Sequence, residues 1–447
     1  MTKVMIVDGG ARGHILALAH LSHEDVDEVL VAPGNDGMKG NFINGFDELD
    51  IRTDPSVKLG NPTTILDSAE RFKPDIIEVQ QDDALAAATV DVLRKKGYLT
   101  VGPTRAAAQI EWSKAWACEF MTRQGIPCPD YRAFHRGNEI AAHKYASGLL
   151  EKMPCVFLKA DGLYKGKGVV SATRETLDDA LVAIGKMGVA SETFLVEEGM
   201  EGEEFSYYAL ADENLGFVTF PSAQDNKRLR NRDEGPNTGG MGAISPALVT
   251  SGLEDRIEDA IMKKALEGLA AEGRPFNGTL YLGGMMTPEG PKVVEFNARW
   301  GDPECQVVLP FLESRVYHNL IKDAANKFLT RKRISADGKA VVCIVGAATG
   351  YPDNPVKDRK IIIDYLDLPK EVFLLSAGIR VDDGKMYTNG GRLFSVVAKG
   401  EDVVEARKIA LAAMACCSVE GNGLEYRTDI GWRDVERVLK ERDLAGK

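Results

Sequence analysis

Two hydrophobic rhythms alternate over the first hundred residues. Short apolar runs at Val4–Val7, Val29–Ala32, Ile76–Val79 and Leu99–Val101 read as buried strands, and helical stretches at His14–Leu21 and Ala84–Lys96 lie between them. Strand–loop–helix repetition predicts a parallel, Rossmann-like sheet with ligands at the carboxyl ends of its strands. Near residue 105 the rhythm changes. Ala106–Gln124 reads as one long helix stopped by Gly125-Ile-Pro-Cys-Pro129, and a small α+β unit follows from about 130 to 195, with a strand at Val156–Lys159 and a helix at Leu177–Met187. Beyond 331 come short β runs (Ala340–Val345, Val372–Leu375, Leu393–Ala398) and a helix at Val404–Cys416. No internal repeat or low-complexity linker marks the joints.

Length agrees with several domains: 447 residues exceed what one hydrophobic core organises. Apolar and charged shares of 44% and 27% are those of a globular protein, and a net charge of −12 argues against nucleic-acid or anionic-membrane partners, which need a basic face. The seven cysteines show no C-x-x-C spacing and suit reduced thiols in a cytoplasmic protein. The apolar start, Met1–Val7, is too short for a signal peptide, and no run reaches the ~18 apolar residues of a membrane span.

Five polar constellations carry the candidate chemistry. In Lys292-Val-Val-Glu-Phe-Asn-Ala-Arg299, strand alternation puts Glu295, Asn297 and Arg299 on one side. A carboxylate and an amide oxygen suit a hard cation such as Mg²⁺, and Arg299 suits a phosphate or carboxylate. A solvated sheet face with a Glu–Arg pair is the alternative, and the dense turn Gly301-Asp-Pro-Glu304 weighs against it. Leu158–Val169 packs three glycines and three lysines into a cationic loop, with Gly166, Lys167 and Gly168 placed to approach phosphate oxygens. It is not a Walker A loop, and a surface hairpin is the other reading. Leu195–Phe205 runs a strand into a glycine-spaced acidic turn, either a nucleotide hinge or a solvated loop. Glu234–Ala243 holds four glycines and a proline, too many for regular structure. Asp8-Gly-Gly-Ala-Arg-Gly-His14 follows the first strand but lacks the dinucleotide spacing, and Ala32-Pro-Gly-Asn35 offers no acidic residue for a ribose, so NAD is disfavoured while a phosphate at the next helix start is not.

Taken together, Gly102–Gln109, Lys159–Gly162, Gly235–Gly242, Glu295–Glu304 and Tyr387–Arg392 make the chain resemble the phosphoribosylamine–glycine ligases, ATP-grasp enzymes of purine synthesis, over nearly its whole length. The resemblance implies an N-terminal domain for the amine substrate (1–105), an ATP-grasp domain (106–330) with a mobile lid at about 130–195, and a small mixed β/α C-terminal domain (331–447). It implies ATP and Mg²⁺ or Mn²⁺ as cofactors, glycine and phosphoribosylamine as substrates, and a monomer or homodimer. Lys114 and Lys159 would hold ATP phosphates, Glu197 and the backbone near Glu198 and Gly199 would flank adenine, and Glu204 would take the ribose. Glu295 and Asn297 would ligate the metal. Asp225 and Arg299 would place the amino acid. Gly9, Gly10, Asp82 and the loop Asn237, Thr238, Gly239, Gly240, Met241 and Gly242 would receive the amine. Three positions depart from the family pattern: Gly13 replaces a glutamate, Gln80-Gln81-Asp82 replaces Gly-Pro-Glu, and Asn226 replaces a histidine. The first two lie where the amine would bind, so a ligase acting on another amine is the competing expectation. A catalytically dead nucleotide sensor is a third, and the presence of Lys159, Glu295 and Asn297 weighs against it.

Overall fold

A computed structural model describes residues 2–45, 49–164, 168–187 and 192–445. The N-terminal sheet is entirely parallel, in the order Ile51–Thr53, Val26–Pro33, Thr2–Asp8, Ile76–Val79, Thr100–Val101. Its central strand is buried from Val4 to Asp8, as a strand covered on both faces should be. The helix Ala11–Leu21 begins directly at its carboxyl end.

Two expected helices are broken. Ala84–Lys96 divides at Ala88, which adopts a left-handed conformation with φ 65°. Ala106–Gln124 divides at Ser113, whose extended backbone separates Gln109–Trp112 from Lys114–Gln124. The Ser113 hydroxyl accepts the Trp116 N–H, a side-chain cap that starts a new helix with Lys114 in its first turn. Local periodicity is continuous across both breaks, which is why it does not reveal them.

The 130–195 unit forms an antiparallel sheet, Tyr131–His135, Thr193–Glu198, Val156–Ala160, Val169–Ala172, over its own hydrophobic cluster around Phe134, Leu158 and Ile184. A second sheet runs Gly290–Asn297, Gly278–Thr287, Glu203–Ala211, Phe217–Thr219, Lys332–Arg333. A third sheet crosses the expected boundary at 331: Gln224–Asp225 and Gly242–Ser245 pair onward to Ala340–Ala348, Arg392–Gly400 and Val372–Ser376. The last two segments are therefore stitched together by backbone hydrogen bonds. Helices Val403–Ala415 and Trp432–Ala445 complete the C-terminal part, the second having no counterpart in the sequence reading. Cys416 and Cys417 direct their thiols to the Ala412 and Ala413 carbonyls, as small helix-end residues do. Among the described residues no helix is long and apolar enough to cross a membrane.

Candidate active site at the meeting of three segments

The strand Gly290–Asn297 carries the first group of side chains. Its pairing with Gly278–Thr287 shifts by one residue: Gly283 opposes Glu295 while Gly284 opposes Val293, so Val294 is left as a bulge. The Val294 carbonyl accepts from Lys159 Nζ at 3.4 Å. Lys159 comes from the lid sheet and pairs with Glu197 Oε2 at 2.6 Å, both side chains being almost fully buried. Burial alone would lower the Lys159 pKa, but the Glu197 carboxylate reverses this and holds the ammonium charged. The Glu197 side chain is thus the counter-ion of Lys159. Its neighbours Glu198 and Gly199 spend their N–H groups on the carbonyls of Asp130 and Cys155, and a side chain at Gly199 would strike the Cys155 carbonyl.

Lys114 donates to the Gly162 carbonyl at 2.7 Å, and Gly162 (φ +112°) sits in a conformation that favours glycine. Asp161 accepts from Ser113 Oγ and the Ala115 N–H, a carboxylate at the start of the Lys114 helix that fastens it to the glycine–lysine loop. Burial pulls the Lys114 pKa down, with Glu295 opposing and Lys159 adding to the effect, so these three charges share one electrostatic pocket. Glu295 itself is exposed. Glu204 pairs with Lys227 at 2.7 Å, both side chains half exposed. Gly168 packs on Tyr164 and its carbonyl accepts the Ala160 N–H. Gly166 and Lys167 lie outside the described residues.

The second group gathers around Trp300, which is fully buried against Tyr208 and Phe220. Arg299 lies just past the end of its strand and bonds Asn297 Oδ1 (3.0 Å), Glu111 Oε1 (3.0 Å) and the Trp300 carbonyl (3.1 Å). Burial opposes the Arg299 charge, but Glu111 and Asp82 more than offset it. The same Trp300 carbonyl accepts from Arg12 at 2.9 Å, and Arg12 also pairs with Asp8 at 2.6 Å. Arg392, from the C-terminal segment, reaches the Gly239 carbonyl (2.6 Å), the Asp302 carbonyl (2.9 Å) and Asp302 Oδ2 (2.9 Å). Gly10 donates its N–H to Asp8 Oδ1, and Gly9 accepts from Asn35. Asp225 Oδ1 is buried without a hydrogen-bond partner among the described residues; burial and then Glu304 push its carboxyl well up.

The loop Asn237–Gly242 divides between site and core. Asn237 is exposed, Thr238 bonds the Lys227 carbonyl, and Gly239 donates to Tyr351 Oη. Gly240 (φ +105°) leaves room for Asp225 Oδ1, which a Cβ would approach to 2.8 Å. Met241 is fully buried in the C-terminal hydrophobic cluster, and Gly242 enters the third sheet. The expected cradle therefore ends at Gly240, because the next residues are spent on packing. Asn226 also faces inward: its Oδ1 accepts the Gly431 N–H and its backbone pairs with Gly242 and Met241. Gly13 is explained by contact, since a Cβ there would lie 2.8 Å from Asp8 Cβ and 2.9 Å from Val31 Cγ1. Arg12, Glu111, Asp302 and Arg392 escaped the sequence reading as site residues. Arg12 and Arg392 stand inside quoted motifs, whereas Glu111, on a four-residue helix, carries no local signal.

Comparison with known proteins matches the phosphoribosylglycinamide synthetase N domain to residues 2–111, its ATP-grasp (A) domain to 112–305 and its C domain to 341–433. The chain is 37% identical to a phosphoribosylamine–glycine ligase of Caulobacter vibrioides, covering 97% of this chain and 99% of that one. A ligase of the same name from Streptococcus pneumoniae is 38% identical over 97% of this chain and 100% of its own. The chicken trifunctional purine biosynthetic protein adenosine-3 is 36% identical across 100% of this chain, which spans only 43% of that longer protein. Among solved structures, a Thermotoga maritima phosphoribosylamine–glycine ligase superposes with a TM-score of 0.78 at 29% identity, covering 96% of this chain and 100% of that one. A Campylobacter jejuni biotin carboxylase reaches 0.71 at 16% identity, over 95% of this chain and 93% of that one, a likeness of fold.

Proposed function

The chain belongs to the phosphoribosylglycinamide synthetase family, and from that premise we infer that it uses ATP to join glycine to 5-phosphoribosylamine, giving glycinamide ribonucleotide, ADP and phosphate. One observation carries the reading: Arg299 links the two groups of side chains, touching Asn297 on the lysine side and sharing the Trp300 carbonyl with Arg12 on the first-domain side. A nucleotide and an amine brought to those two sides meet over Arg299.

The glycine carboxylate attacks the γ-phosphorus of ATP and ADP leaves, giving glycyl phosphate. The amine of phosphoribosylamine then attacks the acyl carbon, loses a proton, and phosphate departs as the amide forms. Phosphoryl transfer of this kind is mainly positioning and charge stabilisation. Lys114 and Lys159 neutralise phosphate oxygens, and Arg299 holds a carboxylate or phosphoryl group in a fixed fork. Burial and Glu304 raise the Asp225 carboxyl's pKa well above its ordinary value, and a glycine ammonium beside it would favour the carboxylate. Gly9, Gly10, Asp82 and Asn237–Gly240 receive the amine substrate, with Arg392 fixing the Gly239 carbonyl.

A divalent ion fits the strand end. Glu295 has no hydrogen bond or ion pair among the described residues, and Asn297 Oδ1 keeps a second lone pair beside the one Arg299 uses. Glu295 and Asn297 would hold Mg²⁺ or Mn²⁺, which when bound screens the polyphosphate charge. Phosphate and water would supply the ion's remaining ligands.

Two of the three departures have packing roles: Gly13 serves helix–strand packing and Asn226 holds the C-terminal segment. The test is ADP release with Mg²⁺, ATP, glycine and freshly generated phosphoribosylamine, each then omitted. Release should require all of them. Release indifferent to phosphoribosylamine would overturn the assignment and favour a ligase for another amine.

A further inference from the structure

The third departure has a different character. Gln80 stands directly after the strand Ile76–Val79 and is 1% exposed. Its amide nitrogen donates to Glu78 Oε1 at 2.8 Å, and its amide oxygen accepts the Trp300 backbone N–H at 2.9 Å. Both ends of one carboxamide are thus used in the interior, between residues 220 apart in sequence. Glu78 is itself fastened by Tyr317 Oη (2.6 Å) and His20 Nε2 (3.0 Å), and His20 Nδ1 meets His318 Nδ1 at 2.9 Å. Tyr317 Oη also accepts the Trp300 indole N–H at 3.3 Å. Trp300 is therefore gripped at its backbone N–H by Gln80, while its carbonyl, in the next peptide plane, receives both Arg12 and Arg299.

We propose that Gln80 is a positioning residue for the ligase reaction: its carboxamide fastens the Trp300 backbone at its N–H to the buried Glu78 network and so helps to set the two arginines that hang from the Trp300 carbonyl. A glycine, which the family pattern places here, has no side chain with which to make this bridge. The glutamine supplies a donor and an acceptor at once, which neither a carboxylate nor an aliphatic side chain does. Because Arg12 and Arg299 approach the same carbonyl oxygen from different segments, a shift of the Trp300 backbone that moves this oxygen displaces both guanidinium groups together. A misplacement of about an ångström at a reacting group costs up to roughly 10²-fold in rate. The inference rests on the functional reading above for its kinetic consequence, but not for the fastening itself.

The test uses the full chain. Gln80→Met keeps the side-chain volume and removes both hydrogen bonds. Hydrogen exchange at the Trp300 amide, followed without substrates, should accelerate at least about tenfold. Turnover with ATP, glycine and phosphoribosylamine should fall by roughly tenfold or more, with the KM for ATP unchanged within about twofold, because the lysine side of the cleft is untouched. Gln80→Glu places a carboxylate against Glu78 and should be as impaired; Glu78→Gln combined with Gln80→Glu restores a donor opposite an acceptor and should recover part of the rate. Wild-type turnover in Gln80→Met, unaltered Trp300 exchange, or losses shared equally by ATP binding and melting temperature would each overturn the positioning role. Failure of the functional reading shows separately, as a wild-type chain that does not respond to phosphoribosylamine; the exchange measurement then decides the fastening alone.

Discussion

Lysines form one group of charges at the candidate site and arginines the other. Lys114, Lys159 and Lys227 are each held by one carboxylate, one carbonyl or both. Arg12, Arg299 and Arg392 are each locked by two or three partners, and among them they join all three segments of the chain. The chemistry of the two side chains explains the division. An ammonium is a compact charge on a flexible stem and can transfer from Glu197 or Gly162 to an arriving phosphate. A guanidinium is a rigid fork whose position is set in advance. On the proposed reading, the lysine group can therefore adapt to a polyphosphate, while the arginine group, at the seam of the three segments, holds a fixed geometry for the smaller reactants.

The contrast can be broken by substitution, beginning with the largest effect. Glu295→Gln removes an exposed carboxylate near the strand end that has no side-chain partner among the described residues, and turnover should drop about 10³-fold or more with the melting temperature unchanged. Near-normal activity in steady-state ADP release would show that the metal is held elsewhere. Next is the behaviour of the seam in acid. His14 is fully buried, accepts the Ser376 N–H at Nδ1 and meets Asn41 Oδ1 through Nε2, which ties the first domain to the C-terminal segment. Burial lowers its pKa from 6.5 to about 4. The neutral ring's contribution is complete above 6.5 and is lost as pH falls from about 6.5 to about 4, up to about 3 kcal/mol. Burial moves His318 in the same direction. Denaturant melts at pH 7 and pH 4.5 should show this loss, and His14→Gln should flatten it; an unchanged slope would remove His14 from the account.

Smaller effects sharpen the same contrast. Gly13→Ala drives a methyl into Asp8 and Val31 and should cost roughly 2 kcal/mol in thermal or denaturant unfolding, with the KM for ATP unaltered. A tolerated alanine would mean that the first helix shifts freely on its sheet. Glu204→Gln should leave stability within about 1 kcal/mol, because its partner Lys227 and the carboxylate are both half exposed. If Glu204 takes the ribose, the same change should raise the KM for ATP several-fold, and an unchanged KM would take Glu204 out of the nucleotide site.

Sequence by itself determined most of the local fold. The apolar runs Val4–Val7 and Ile76–Val79 lie in strands, and Leu177–Met187 is a helix with those bounds, because burial on a sheet face or helix stripe leaves a period that adjacent residues carry. Motif spacing also singled out Lys159, Glu295 and Arg299, which the fold gathers along the strand Gly290–Asn297 and its end. Only the tertiary structure decided how those residues are held. The break at Ser113 depends on Asp161, the bulge at Val294 on pairing with Gly283 and Gly284, the third sheet on strands from two segments, and the Trp300 peptide on Gln80. Each of these needs a hydrogen-bonding partner far along the chain, and a buried donor or acceptor takes whichever partner folding brings near it, a choice that leaves no period or spacing in the residues around it.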